Sequence, residues 1–216
     1  MTIFALVAAF WLVGRAALAI EDTVGLSKIV AGATHKCGLT VSGGVRCWGY
    51  NYYGQLGDNT KTARSTPGDV AGLAGGVVAI AVGNSHTCAL TAGGGVKCWG
   101  YNFYGQLGDN STANRLAPVD VQGLGTGVSA IAAGLLHTCA LTASGGVKCW
   151  GYNSDGELGD GTTIQRLAPV DVAGLPGPAV AIAAQELHTC AQTAAGGIKC
   201  WGHDSTKWEA NLLRSD

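Results

Sequence analysis

The sequence predicts an all-β chain assembled from β-propeller blades. Three observations lead there. Of 216 residues, 35 are glycine, one is methionine and 12% are charged, a composition suited to tight turns and short strands and not to amphipathic helices. An offset of 51 residues superposes Cys37, Cys88, Cys139 and Cys190, and equally Trp48, Trp99, Trp150 and Trp201. Within each repeat, strand-length runs alternate with turn residues, and four short strands per unit make one blade.

Taken in order, Ile3 to Val13 is an apolar run of 11 residues, followed by small residues at Ala17 and Ala19 where a signal peptidase inspects. Residues 1–19 are therefore expected to be a signal peptide, with Ile20 starting the mature chain. No Lys or Arg precedes the run and Arg15 follows it, so an uncleaved anchor or a buried strand is the competing reading. The run is shorter than the ~20 residues a spanning helix needs.

Four repeats then fill residues 24–202, as 24–74, 75–125, 126–176 and an incomplete 177–202, and residues 203–216 diverge into a C-terminal tail. In the second repeat, Val77–Val82, His86–Thr91 and Val96–Tyr101 are three strand-length runs. Ala92-Gly93-Gly94-Gly95 between the last two marks a tight hairpin, since glycine reaches the positive φ such turns need. A longer loop with Gly105-Gln106-Leu107-Gly108-Asp109 leads to Pro118-Val119-Asp120-Val121, where proline suggests the start or edge of a fourth strand. The lack of any helix-period segment between Val24 and Trp201 argues against a helical solenoid; a parallel β-helix is the rival, though its repeats are usually shorter.

All eight cysteines form pairs ten residues apart: Cys37/Cys47, Cys88/Cys98, Cys139/Cys149 and Cys190/Cys200. If the hairpin folds about Gly93, facing residues sum to 186, which sets Cys88 opposite Cys98, Ala89 opposite Lys97 and Leu90 opposite Val96. Facing Cβ atoms lie ~4.5–5.5 Å apart, within reach of one disulfide per blade. Zinc held by His86, Cys88 and Cys98 is a rival that falls one ligand short of a structural site, and reduced, buried thiols are another. No Cys-x-x-Cys redox motif is present.

His35, His86, His137 and His188 share the 51-residue spacing and are expected to be structural, each ring bonded to a neighbouring loop backbone, because catalysis needs one asymmetric constellation. The repeated Trp is expected to pack between adjacent blades. Arg46, Lys97, Lys148 and Lys199, and separately Asp58, Asp109 and Asp160, read as solvated or ion-paired rings. The Gly-Gln-Leu-Gly-Asp loop reads as a turn, with no helix or Lys-Ser/Thr to hold a phosphate. Asn110-Ser111-Thr112 matches a glycosylation acceptor. Only Asp155, Glu157 and Glu186 offer the asymmetry a hydrolase or lyase would need, so no catalytic residue, cofactor or metal is expected.

The copies differ at their loop tips: Tyr52-Tyr53, Phe103-Tyr104 and Ser154-Asp155, and, before the histidine, Ala33-Thr34, Asn84-Ser85, Leu135-Leu136 and Glu186-Leu187. A constant frame with varying tips is built like a recognition surface, the alternative being drift of exposed loops. A net charge of −1 and a pI near 6.5 leave no footprint for nucleic acid or an anionic membrane. A protein partner is expected, with self-association through open blade edges.

His-Thr-Cys-Ala-Leu-Thr, then Gly-Gly-Val-Lys-Cys-Trp-Gly-Tyr-Asn, then Gly-Gln-Leu-Gly-Asp, in that order and spacing, resemble the regulator of chromosome condensation repeat over residues 24–202. The resemblance implies a propeller, seven-bladed in that family, so that four repeats of 51 residues make a partial or open ring, and a range of roles: nucleotide exchange on a small GTPase, chromatin binding, or inhibition of a β-lactamase by a secreted bacterial member. The expected function is a non-enzymatic, secreted or envelope-associated module that binds protein through its loop tips. An intracellular exchange factor is the alternative; it requires reduced thiols and a projecting element that nothing in the 51-residue register supplies.

Overall fold

The computed structural model describes residues 25–203. The expected signal peptide at 1–19, and the tail beyond His203, lie outside the described residues. Among the described residues, fifteen strands and no helix make four antiparallel sheets. The first contains β1 (Leu26–Ala31), β2 (His35–Thr40), β3 (Val45–Gly49) and β4 (Arg64–Asp69). β5 (Val77–Val82), β6 (His86–Thr91), β7 (Val96–Gly100) and β8 (Arg115–Asp120) form the second, and β9 (Val128–Ala133), β10 (His137–Thr142), β11 (Val147–Gly151) and β12 (Arg166–Asp171) the third. The fourth has β13 (Ala179–Gln185), β14 (His188–Thr193) and β15 (Ile198–Gly202). Each sheet pairs its strands in chain order, the meander of a propeller blade.

The register follows from the hairpin glycines. Gly94, at φ 77°, turns the chain between β6 and β7, and Cys88 faces Cys98, Ala89 faces Lys97 and Leu90 faces Val96. The same register recurs in all four blades, and the sulfurs are joined as Cys37–Cys47, Cys88–Cys98, Cys139–Cys149 and Cys190–Cys200, with Cα atoms 4.1 Å apart. Both sulfurs of each pair are thus taken, and the zinc alternative loses its ligands. Of the two readings of the proline, edge holds and start does not: β8 spans Arg115–Asp120 with Pro118 inside it. It can do so because β8 is an outer edge, where the missing N–H faces away from any partner strand.

Side chains alternate across each strand, so both faces of an inner blade are buried. Cys88, Leu90, Val96 and Cys98 point toward the third blade, where they pack with Leu107, Val121, Ala140 and Trp150. Thr87, Ala89 and Trp99 occupy the opposite face, and Ala89 and Trp99 pack there with Cys37, Val45, Cys47 and Leu56 of the first blade. The hydrophobic cores therefore lie between blades and not within them, and the third joins Cys139, Leu158, Ala191 and Trp201. The inner strands β1, β5, β9 and β13 pack in sequence along the axis. β1 and β13 are largely exposed where β5 and β9 are mostly covered, which makes the described chain an open arc.

Candidate functional site

The loops at one end of the blades are held by buried polar contacts that recur from blade to blade. Asn51, Asn102 and Asn153 are fully buried. Asn51 Oδ1 accepts from the Leu56 N–H at 2.9 Å, and its Nδ2 donates to Asp58 and to the carbonyls of Thr60 and Thr62. Asp58 in turn pairs with Arg64 at 3.2 Å, as Asp109 does with Arg115 at 2.7 Å and Asp160 with Arg166 at 2.8 Å. Burial opposes the charge on Asp58, but hydrogen bonds from Thr60 and Asn51 and the Arg64 guanidinium outweigh it and hold the carboxyl below its ordinary value. The loop expected to be only a turn is therefore a built structure. The other basic ring lies in exposed cross-strand pairs, Arg46–Asp69, Lys97–Asp120 and Lys148–Asp171.

The same loop latches the next blade. Trp99 Nε1 donates to the Gln55 carbonyl at 2.9 Å, Trp150 to Gln106 and Trp201 to Glu157 at the same distance. Gly57, at φ 68°, makes the approach possible, since a Cβ there would stand 2.7 Å from the Trp99 nitrogen. Trp48 has no preceding described loop and is half-buried, where Trp99 and Trp150 are fully buried.

Each of these carbonyls also accepts a threonine hydroxyl, Thr87 on Gln55 at 3.1 Å and Thr138 on Gln106 at 2.9 Å. With its proton so used, Thr87 Oγ1 accepts from His35 Nε2 at 2.6 Å; His86 meets Thr138 at 3.0 Å and His137 meets Thr189 at 2.8 Å. The expectation that each histidine ring bonds the loop backbone directly is corrected: His35, His86 and His137 reach it through a threonine on the next blade. Their Nδ1 atoms are buried without a partner, which suits the neutral Nε2–H tautomer. Burial lowers His35 and His137 to about 4, and burial with the flanking His35 and His137 lowers His86 to about 3.

A pH dependence follows. The unfolded chain protonates these rings near pH 6.5 while the folded chain resists until about 4 or 3, so the unfolded state binds more protons in that window. Stability is fully present above pH 6.5 and falls as pH drops toward 4. Urea melts between pH 7 and 4 should show the midpoint declining across this range, and the decline should shrink in His86→Gln. A flat profile would contradict the neutral relay.

Above this frame lies a row of aromatic rings. Tyr52 meets Tyr53 with centroids 5.0 Å apart, Tyr53 meets Tyr101 at 4.7 Å, Tyr101 meets Tyr104 at 6.3 Å and Tyr104 meets Tyr152 at 4.9 Å. Tyr50 stacks on Tyr52 and Phe103 edges against Tyr104. Of the residues expected at the loop tips, Tyr52, Tyr53, Phe103 and Tyr104 fall into this continuous row. Ser154 and Asp155 take the equivalent places on the third blade, where Ser154 bonds the Tyr152 hydroxyl and Asp155 meets His203 Nδ1 at 3.2 Å. Sequence reasoning missed Tyr50, Tyr101, Tyr152 and His203 as site residues; the three tyrosines sit in the repeated Gly-Tyr-Asn frame at a shared 51-residue spacing, which was the available signal, and His203 takes the tyrosine's place in the fourth copy. Burial, then Tyr104 and Tyr53, raise the Tyr101 hydroxyl above its ordinary value.

The row borders the mouth of the axis. The Tyr50, Tyr101 and Tyr152 N–H groups donate to the carbonyls of Thr34, Ser85 and Leu136, the turns that also vary between copies. A concavity of about 460 Å³ opens between those turns, with Ala33, Asn84, Leu135 and Glu186 on its wall. Both variable sets therefore share one face. In the loop of the third blade, Glu157 replaces the buried Gln55 and Gln106 of the other loops; its Oε2 accepts from the Asp155 N–H, its Oε1 is buried without a partner, and burial pushes its carboxyl up.

The regulator of chromosome condensation (RCC1) repeat model matches residues 42–90, 94–141 and 144–192, and a second model of the same repeat matches residues 26–55, 77–106 and 128–157. The chain belongs to the RCC1-repeat family. It is 40% identical over 150 residues to the probable E3 ubiquitin-protein ligase HERC4 of Homo sapiens, covering 68% of this chain and 14% of HERC4. With the ultraviolet-B receptor UVR8 of Arabidopsis thaliana it shares 31% identity over 185 residues, 84% of this chain and 42% of the receptor. Among solved structures, human WBSCR16 matches with a TM-score of 0.73 at 27% identity, over 82% of this chain and 47% of that one. Prp20p of Saccharomyces cerevisiae, described with its binding to Gsp1p and histones, matches with a TM-score of 0.72 at 25% identity, over 82% and 45%. The chain thus spans less than half the length of these RCC1-repeat proteins.

Proposed function

We propose that this RCC1-repeat arc is a non-enzymatic recognition module that binds a protein partner across its loop face, with Tyr52, Tyr53, Phe103 and Tyr104 as anchors. The observation that carries this reading is the aromatic row itself, which crosses three blades and leaves Tyr50, Tyr52 and Phe103 at least half exposed. Rings in such contiguity form an apolar patch that a partner would cover, and tyrosine supplies large contact area with few rotatable bonds. Ser154 and Asp155 extend the row with polar contacts. The protein ligands described for Prp20p support a protein as the ligand class. Four disulfides support an oxidising compartment, secreted or in the cell envelope.

Substituting Tyr52, Tyr53, Phe103 and Tyr104 together by alanine should weaken capture of the natural partner by ~30-fold or more, as expected of anchor residues, with the urea midpoint little changed. Capture at wild-type level by the variant would refute the reading. The likeness to Prp20p favours a second one, regulation of a small GTPase inside the cell. It predicts eight alkylatable thiols in protein isolated from its native source, where the secreted reading predicts none until reduction.

A further inference from the structure

Two successive turns of the loop face present the same arrangement of rings. Tyr50 stacks on Tyr52 with centroids 6.4 Å apart, and Tyr101 on Phe103 at 6.5 Å. Tyr53 and Tyr104 stand at 90° and 86° to the second ring of each pair. Tyr53 lies 4.7 Å from Tyr101, which lies 6.3 Å from Tyr104. Tyr53 and Tyr104 hold equivalent places one blade apart, so the row advances per blade by no more than those two spans together.

The backbone under the row limits what can lie on it. The N–H groups of Tyr50, Tyr101 and Tyr152 donate to the carbonyls of Thr34, Ser85 and Leu136, and those of Tyr53, Tyr104 and Asp155 to the side chains of Gln55, Gln106 and Glu157. Residues 50–57 and 101–108 contain no strand, so the face has no edge for strand addition. An added strand would bury its own N–H groups against rings, with no carbonyl ladder to accept them. What the row offers is apolar ring faces and tyrosine hydroxyl donors. A polyproline II segment suits both, because its prolines have no N–H to satisfy, its carbonyls are unbonded and its fixed φ lowers the cost of ordering. One turn of that helix advances about 9 Å, which falls inside the bound on the blade step.

The chemistry of the row changes on the third blade. Ser154 and Asp155 stand in the places of Phe103 and Tyr104, and Asp155 meets His203, whose N–H donates to the Leu187 carbonyl. Glu186, exposed beside Leu187 on the axial wall, brings a second carboxylate to this end. The loop arginines Arg64, Arg115 and Arg166 are held by Asp58, Asp109 and Asp160, so they do not offset that charge. A ligand that is apolar along the row and cationic at one end complements the face.

We propose that the loop face binds an extended proline-rich segment of its partner, with prolines laid on Tyr52, Tyr53, Phe103 and Tyr104 and a lysine or arginine directed to Asp155 and Glu186. This rests on the loop face being the recognition surface and adds the class of ligand it takes.

The probe is a fluorescein-labelled peptide of nine prolines followed by two arginines, titrated into the full chain and read by anisotropy. Saturable one-to-one binding is expected. A peptide with alanines in place of the prolines should bind at least ~tenfold more weakly, and the four-alanine variant of the row should lose the proline peptide to the same degree. Glutamates in place of the arginines should weaken binding about fivefold, and Asp155→Arg in the protein should recover the loss, a charge reversal that a merely structural aspartate would not show. Absence of saturable binding, equal binding of the proline and alanine peptides, or no recovery in the reversed pair would overturn the proposal. If any of these occurs while the four-alanine variant still fails to capture the natural partner, the ligand class is wrong and the loop-face reading stands; capture at wild-type level by that variant overturns both.

Discussion

Trp99→Ala is expected to cost about 3–5 kcal/mol of unfolding free energy, the range for emptying a buried aromatic site, while Trp48→Ala costs under ~1.5 kcal/mol. The two residues hold equivalent places in successive repeats, so intrinsic strand preference and chain entropy cancel between them. What differs is the surroundings. Trp99 is fully buried among Cys37, Cys47 and Leu56 of the preceding blade and donates to the Gln55 carbonyl; Trp48 has no described loop before it and is half-buried. Trp99→Phe keeps most of the apolar contact and loses the donor, leaving the Gln55 carbonyl with Thr87 as its partner, and should fall between the two at about 1–2 kcal/mol. Urea unfolding followed by circular dichroism reads all three, and equal losses for Trp48→Ala and Trp99→Ala would show that the blade joints do not carry the stability.

Opening the disulfides is the second large effect. Each closes a loop of ten residues' separation, for which the loop-entropy relation gives roughly 2–3 kcal/mol. Replacing both Cys88 and Cys98 by alanine should therefore lower stability by that amount. Four bridges together approach roughly 10 kcal/mol, comparable with the whole stability of an ordinary domain. The reduced chain should be unfolded at room temperature. The sulfurs of Cys37, Cys88, Cys139 and their partners are fully buried, so native protein should resist reductant until denaturant is added. Reduction and alkylation with and without urea, followed by mass spectrometry, checks this; a folded, fully alkylated protein would contradict it.

Blade register and cysteine pairing were legible in the sequence because both are local. A glycine hairpin and a ten-residue spacing determine which residues face each other. The joints were harder to read, because His35 and Thr87 are 52 residues apart and Trp99 and Gln55 are 44 apart. Such contacts follow from blades stacking, and a threonine inside a strand gives no local sign of accepting from a histidine one repeat earlier. Thr87, Thr138 and Thr189 do recur every 51 residues, as do Asn51, Asn102 and Asn153, which is a frame signal without a stated purpose. Tyr50, Tyr101 and Tyr152 were hidden for the opposite reason. Their constancy marked them as frame, yet the turn before each histidine holds their backbone and leaves their rings on the surface among the variable tips. The outer strand's early start at Arg115 was obscured by Pro118, which reads equally well as the first residue of a strand.

The proposed recognition surface of this RCC1-repeat chain is the loop face bearing the aromatic row. Oxidative footprinting of the chain, free and bound to the protein captured with it from its native source, tests this most directly. Protection at Tyr50, Tyr52, Tyr53, Phe103 and Tyr104, with the hairpins at Ser42–Gly44, Gly93–Gly95 and Ser144–Gly146 unchanged, is the predicted result. Protection confined to those hairpins, with the aromatic row labelled as in the free chain, would contradict it.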